Sequence, residues 1–469
     1  MDLREKKLYK DTAILFIGNI STKFISFFLV PLYSYYLIPE EYGRFDIYLT
    51  LLSMLYVIVS LQAVESSFRF IQECTNDQER KVTVSNALLI AIIGCLIFGI
   101  VILLLAYAGT SFKYYKEFYI YTLTAILSNL FLQTLRGMNK TINYVVISAI
   151  SAFSSAIFNI FFIVYCSLGG YSLLLTPIIV NVEIVVLCLV FGKFYRFLSF
   201  KTIVVGEIKK QLAYALPLIP NALCVWLLGS LGRFILLLYY GEKEVGLLAF
   251  TLKFPQLLSL ASSIFIMAWQ VNLLQSYEEA DRDIFASKIF YHYMKSIISL
   301  MIVAMPLLKI IIYVGMGKDY LSTWRYIPIF FIGVVLSSFS QFYNLGFYGA
   351  KKTKKVFYSS IYAIVIYAFS GILLAKDFYI YGIGIAYSIS ELIRWLYIRK
   401  NVREYLNIKI AWRKTIVELV LFISVVCSYY CLTWKIQVII FLVATLIILI
   451  ANRNLLKKLF VSQKENKNG

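Results

Sequence analysis

Long apolar runs, broken at short intervals by charged residues or by glycine and proline, set the pattern of this chain. A bilayer core of ~30 Å takes about 20 apolar residues in a helix. Fourteen runs of about that length can be read: 11–37, 45–70, 82–108, 115–137, 142–167, 172–196, 212–239, 246–274, 288–314, 323–349, 355–375, 380–402, 412–433 and 435–452. The last two are parted only by "TWK", Thr433–Lys435. Connections are short, the longest lying near 197–211, 275–287 and 403–411, so no soluble domain is expected. The first run is too long for the apolar part of a signal peptide and lacks a small-residue cleavage site, so it reads as a retained span. The pattern predicts an all-α polytopic membrane protein of about fourteen transmembrane helices.

Composition strengthens this reading. The chain is 61% hydrophobic and 15% charged, with mean hydropathy +0.79, against ~45–50% apolar and ~25% charged in soluble domains. The net charge of +20 follows the predicted topology. With the N-terminus inside, 31 of the 45 Lys and Arg fall in inside segments, 8 in outside loops and six within spans. That is the bias of a multi-pass protein with both termini cytoplasmic. The basic surplus is therefore topological and attracts anionic lipid headgroups; no nucleic-acid partner is expected. The "KKTKK" cluster at Lys351–Lys355 reads as an interface anchor on the same argument. Seven scattered cysteines without a CxxC pair, and His292 as the one histidine, argue against a metal site. Cys427 and Cys431 share a helix face and read as small packing residues. No Walker A run is present, and no cofactor is expected.

An internal repeat divides the spans. "YYLIPEEYGRFDIYLTLLSML" (Tyr35–Leu55) matches "LLYYGEKEVGLLAFTLKFPQLL" (Leu237–Leu258) when Glu41-Tyr42-Gly43 is set on Glu244-Val245-Gly246, an offset of 203 residues. Both stretches read as helix–turn–helix hairpins facing outside, the first helix ended by Pro39 and the two glutamates, with Gly43 supplying the tight turn. The spacing predicts a first lobe of six spans over 1–200, a second over 201–405, and two further helices with a basic tail over 406–469. Prolines at 31, 177, 217, 220, 255, 306 and 328 lie in or beside spans, and Pro217 and Pro220 predict a bend in the seventh.

The segment Gly18–Phe70 resembles the opening of bacterial polysaccharide flippases, the Wzx-type translocases of O-antigen and capsule precursors, in the multidrug/oligosaccharidyl-lipid/polysaccharide exporter superfamily. The resemblance rests on Gly18, "VPLYSYYLIPEEYG" (Val30–Gly43), Glu65 and Arg69-Phe70. Gly232–Gln270 is similar to the family's DR…VGxY…K…AWQ run, with Gly232 where the family often carries aspartate. The resemblance implies a two-lobed, MATE-like fold in a bacterial cytoplasmic membrane. It also implies a substrate, an oligosaccharide on undecaprenyl pyrophosphate moved from the inner to the outer leaflet. Membrane lipids and the glycan polymerase machinery stand as further candidate partners.

Charges at membrane depth are the candidate site residues, because such groups face a cavity or a partner. Glu65 with Arg69, and Glu391 with Arg394, can pair within one helix. Lys414 with Glu418 reads as a surface pair, while Lys295 and Lys309 can snorkel from helix ends. Lys23, Arg233, Lys253 and Glu183 have no local partner. Arg233 maps through the repeat to Val30, two turns beyond Lys23. The three cations are therefore expected to line a cavity and hold the carrier pyrophosphate; the competing reading pairs each with an acid on another helix. Glu183 is a candidate coupling-ion carboxylate, or a structural one bonded to Asn or Tyr neighbours.

Four functions compete. A lipid-linked oligosaccharide flippase comes first and a lipid II flippase second. A multidrug exporter would favour an acidic cavity. A membrane glycan polymerase or ligase would need catalytic residues in a large outside loop, whereas the outside loops are about ten residues or shorter and carry no acid pair or nucleophile–base set. The chain is thus expected not to be an enzyme.

Overall fold

Helices follow one another along the chain with short breaks in a computed structural model that describes residues 25 and 27–451, apart from 110, 111, 276, 278, 280, 351 and 411. No strand occurs among these residues. Two compact units divide the chain, 1–249 and 250–469. The first holds α1 (Pro39–Val59), α2 (Ala63–Ile71), α3 (Asp77–Tyr107), α4 (Tyr115–Gly137), α5 (Thr141–Ile160), α6 (Ser172–Val190), α7 (Val205–Ala215), α8 (Leu218–Tyr240) and the start of α9 (Glu242–Gln275). The second holds the rest of α9 with α10 (Arg282–Gly315), α11 (Ile327–Gly349), α12 (Thr353–Val402), α13 (Trp412–Cys431) and α14 (Trp434–Ala451).

Among the described residues, ten helices are long and apolar enough to cross a membrane, and Val420–Cys431 and Trp434–Ile448 are shorter apolar helices. One of the ten, Lys354–Val402, runs over 49 residues and is interrupted at Tyr379, where φ is 53° and ψ −132°. That break falls between the predicted spans 355–375 and 380–402. Residues 27–36 are helical and belong to the first predicted span. The architecture is consistent with the fourteen spans read from the sequence, in an all-α polytopic fold.

Local chemistry places the breaks. The predicted span 45–70 is interrupted after Val59, where Leu61 and Gln62 take left-handed φ of 48° and 55°. The helix is interrupted at the predicted prolines: α7 stops at Ala215 and Pro217 is the N-cap of α8. Gly43 does not act as foreseen. It lies inside α1, and the residue with turn geometry is Gly241, at φ 78°.

In the first unit, Ile126, Leu130 and Leu135 of α4 are wholly buried in one cluster with Ala63 of α2 and Val84 and Ala87 of α3. Phe131 stacks on Phe194 with centroids 4.1 Å apart. Lipid tails are as apolar as these side chains, so close packing rather than escape from water holds them together. The outward face of α3 is left for lipid: Leu96, Ile100, Leu103 and Leu104 are all exposed. The second unit has an aromatic core in which Phe342 stacks on Trp269 and Tyr293 and meets Phe290.

Two expectations about charged residues are corrected. Arg69 does not pair with Glu65 but reaches forward to Glu73 at 2.8 Å. The helix break puts Glu65 in the first turn of α2 and Arg69 in its last, each at the end its charge favours. Lys309 does not snorkel. It is 2% exposed, donates to the carbonyls of Tyr429 and Leu432 at the end of α13, and lies 3.9 Å from the Trp324 ring centroid. A cation there answers the unbonded carbonyls of a helix C-terminus. Glu391 and Arg394 do pair on α12, at 3.2 Å, and Arg394 also donates to Ser360.

Candidate functional site

The two repeat hairpins meet inside the first unit. The N-terminal turn of α1 begins at Pro39 and that of α9 at Glu242, so their free N–H ends and acidic first turns lie together. Contact is backbone to backbone. A Cβ on Gly43 would sit 1.9 Å from the Glu242 carbonyl oxygen, and one on Gly246 would sit 1.9 Å from the Pro39 carbonyl oxygen. Only glycine permits that approach. Ion pairs flank it. Arg44 holds Glu242 through Nε at 3.0 and 2.8 Å and through its terminal nitrogen at 2.7 Å. Lys243 faces Glu40 at 3.9 Å. The Glu41 carboxylate accepts from the Gly170 N–H at 2.7 Å, tying the hairpin to the start of α6.

One turn further along α1 stands Asp46. Its carboxylate accepts from Nε of Arg233 on α8 at 2.6 Å, with side chains 15% and 13% exposed. Arg233 also donates to the Gly229 carbonyl at 2.8 Å. The Trp226 indole N–H reaches the Thr50 carbonyl and Ser53 Oγ, clasping α8 to α1 below the pair.

This corrects the view of Arg233 as a cation without an acid. Asp46 supplies the carboxylate that Gly232 does not. Sequence reasoning passed over Asp46 because it stands at the edge of the predicted span 45–70, where it reads as a loop residue. The available signal was depth, since Arg233 and Asp46 both lie near the outside ends of their spans. Lys253, half-buried on α9, belongs to the second unit, and it too has an interaction. Lys23 lies outside the described residues, as do the side chains of Lys414 and Glu418. Glu183 also has a partner: Ser154 Oγ of α5 donates to its Oε1 at 2.8 Å. Its Oε2 is buried without a hydrogen bond among the described residues. Its neighbour Asn181 is engaged separately, accepting from Ser128 at 3.0 Å.

Chemically, the seam joins close backbone contact at two glycines with ion pairs beside it. Exposed pairs such as Lys243–Glu40 contribute ~0–1 kcal/mol each, and the more buried Arg233–Asp46 pair contributes more, because desolvated charges are screened less. Among the described residues no cluster of His, Cys, Asp and Glu suits a metal ion.

Residues 8–273 match the polysaccharide biosynthesis protein family. The chain belongs to this family. Among curated proteins it is similar to Lsg locus protein 1 of Haemophilus influenzae, 24% identical over 389 residues, which is 78% of this chain and 90% of that protein. Among solved structures it is similar to the lipid II flippase MurJ in an inward closed conformation, at TM-score 0.68 and 16% identity, over 94% of this chain and all of that one. It is also similar to an inward-facing multidrug resistance MATE transporter of the MOP superfamily, at TM-score 0.61 and 13% identity, over 82% of this chain and 95% of that one. This member of the polysaccharide biosynthesis protein family therefore has the MurJ/MATE fold, as the resemblance of Gly18–Phe70 implied.

Proposed function

We propose that this protein is a flippase. It carries an oligosaccharide linked to undecaprenyl pyrophosphate from the inner to the outer leaflet of a bacterial cytoplasmic membrane, with both termini cytoplasmic and lobes over 1–200 and 201–405. One observation carries the reading. The chain belongs to a polysaccharide biosynthesis family yet has the fold of membrane transporters. The task that joins the two is moving a glycan intermediate across the bilayer, rather than polymerising or ligating it.

The hairpin seam supports alternating access. With the hairpins together, Arg233 is neutralised by Asp46. When they part, the guanidinium is freed at membrane depth and needs a new anion. The carrier pyrophosphate supplies one, and arginine binds it in bidentate fashion. Lys23 and Lys253 are further contacts for the same group. Glu183, with one carboxylate oxygen bare, is the candidate for carrying a coupling proton or cation.

Cells lacking this protein should lose surface glycan and accumulate the lipid-linked oligosaccharide on the inside. Arg233→Ala should reproduce that loss when compared at matched amounts of folded protein. Arg233→Lys should retain part of the export, and the neutral Arg233→Gln should not. Under an imposed ion gradient, Glu183→Gln should export more slowly than the unaltered protein. The second reading, a lipid II flippase, is favoured by the extent of the MurJ likeness. Accumulation of lipid II with surface glycan intact would replace the first reading by the second.

A further inference from the structure

A cavity of about 530 Å³ opens in the first unit among Asp77, Arg80, Lys81, Lys140, Lys193 and Arg196. Five cations and one acid converge there from three separate places, the first turns of α3 and the connections after α4 and α6. Topology asks for cations in such connections. It does not ask that they gather round one basin.

The basin is built rather than loosely strewn. Asn76 caps α3, accepting from the Glu79 N–H at 2.9 Å, while the Glu79 carboxylate accepts from the Thr75 N–H at 2.7 Å. This capping box fixes the helix turn that carries Arg80 and Lys81. Arg80 bonds Asp77 at 2.9 Å, yet its Nε is buried with no hydrogen bond among the described residues. On the opposite wall, Phe194 and Phe197 are buried and pin the turn between Lys193 and Arg196. Lys193 holds a left-handed φ of 50°, a strained setting for a side chain with a Cβ. Lys140 donates to the Gly192 carbonyl at 3.1 Å and lies 5.0 Å from the Phe197 ring centroid. Burial pushes the Lys140 amine below its ordinary value; Asp77 opposes this, and Arg80, Arg196 and Lys193 add to it.

We infer that this basin is a binding site for a lipid-borne phosphate at the level of the headgroups. The helices whose ends form it, α3, α4, α5 and α6, are apolar spans, which sets the basin where lipid phosphates lie. The surplus of four cations over the single acid favours an anion. Two sources share the chemistry, the phosphodiester of a bulk anionic lipid and the pyrophosphate of the carrier. Only the carrier as a source rests on the flippase reading.

The test is native mass spectrometry of the purified full-length protein with phosphatidylglycerol, with phosphatidylcholine of matched chains, and with undecaprenyl pyrophosphate. The unaltered protein should retain phosphatidylglycerol in preference to phosphatidylcholine. Each cation removed should lower retention about fivefold, so Lys140→Gln with Arg196→Gln should lower it roughly 25-fold. Lys193→Gly removes a charge while relieving the left-handed strain, so its loss of retention, with an unchanged or higher melting temperature, cannot be ascribed to unfolding. Displacement of phosphatidylglycerol by equimolar undecaprenyl pyrophosphate assigns the site to the carrier; failure to displace assigns it to bulk lipid. Equal retention of the two phospholipids by the unaltered protein, or undiminished retention by the variants, overturns the proposal. Because binding is read without transport, that failure leaves the flippase reading standing.

Discussion

Gly43 and Gly246 stand against one another so closely that each fills the space of the other's missing side chain. The Cβ position of Gly43 lies 2.6 Å from the Gly246 nitrogen, and that of Gly246 lies 3.1 Å from the Gly43 nitrogen. Their nearest carbonyls, Glu242 and Pro39, are themselves 203 residues apart, as the glycines are. Reciprocity of this kind arises when two copies of one hairpin pack about a local two-fold axis. The repeat read from Tyr35–Leu55 and Leu237–Leu258 thus has a physical counterpart.

Substituting either glycine should separate the hairpins. Gly43→Ala and Gly246→Ala are each expected to destabilise the purified protein by about 1–3 kcal/mol through overpacking against backbone that cannot rotate away. Gly229 has open space around its Cβ position, so Gly229→Ala is the control. A thermal melt in which all three behave alike would refute the close-approach argument.

Asp46 and Arg233 should be energetically coupled. In a double-mutant cycle, Asp46→Ala, Arg233→Ala and the double variant should give an interaction energy of about 1–3 kcal/mol in thermal denaturation. Removing one partner leaves a partly buried charge unanswered, so each single variant should be less stable than the double. Additive losses would mean that the pair contributes nothing as a pair.

Lys309 should be a structural cation. Lys309→Met removes the donor to two carbonyls at the end of α13 and is expected to cost about 1–3 kcal/mol. Lys309→Arg should recover part of this, since a donor and a charge remain. Melting temperatures equal to that of the unaltered protein would return Lys309 to a passive role.

Native cysteines should report the topology. In single-cysteine variants of intact cells, a membrane-impermeant maleimide should label Cys166, which is exposed at the outer end of the fifth predicted span. It should spare Cys74, which lies in a predicted inside connection. In opened membranes Cys74 should still react slowly, because burial chiefly pushes its thiol pKa up and leaves less thiolate at a given pH. Its rate should therefore keep climbing at pH values where an exposed thiol has levelled off. Labelling of Cys74 in intact cells would reverse the orientation.

What the sequence alone determined is the solvent, the element type and the repeat. Apolar runs of membrane length demand helices, because lipid offers the backbone no other hydrogen-bond partner, and the Glu41-Tyr42-Gly43 and Glu244-Val245-Gly246 match set the two hairpins in register. Pairing across the fold was another matter. A charge four residues away is visible in a sequence, yet Glu65 and Glu73 both stand four residues from Arg69, and only the fold shows that Arg69 pairs with Glu73. Asp46 and Arg233 are 187 residues apart; only the packing of α1 on α8 makes them neighbours. Gly43 reads as a turn residue in the sequence and is a contact residue in the fold, because what it lacks matters only where another backbone comes within reach. Local propensity acts over a few residues along the chain, whereas electrostatics and packing act over a few ångströms in space, and only tertiary structure converts one distance into the other.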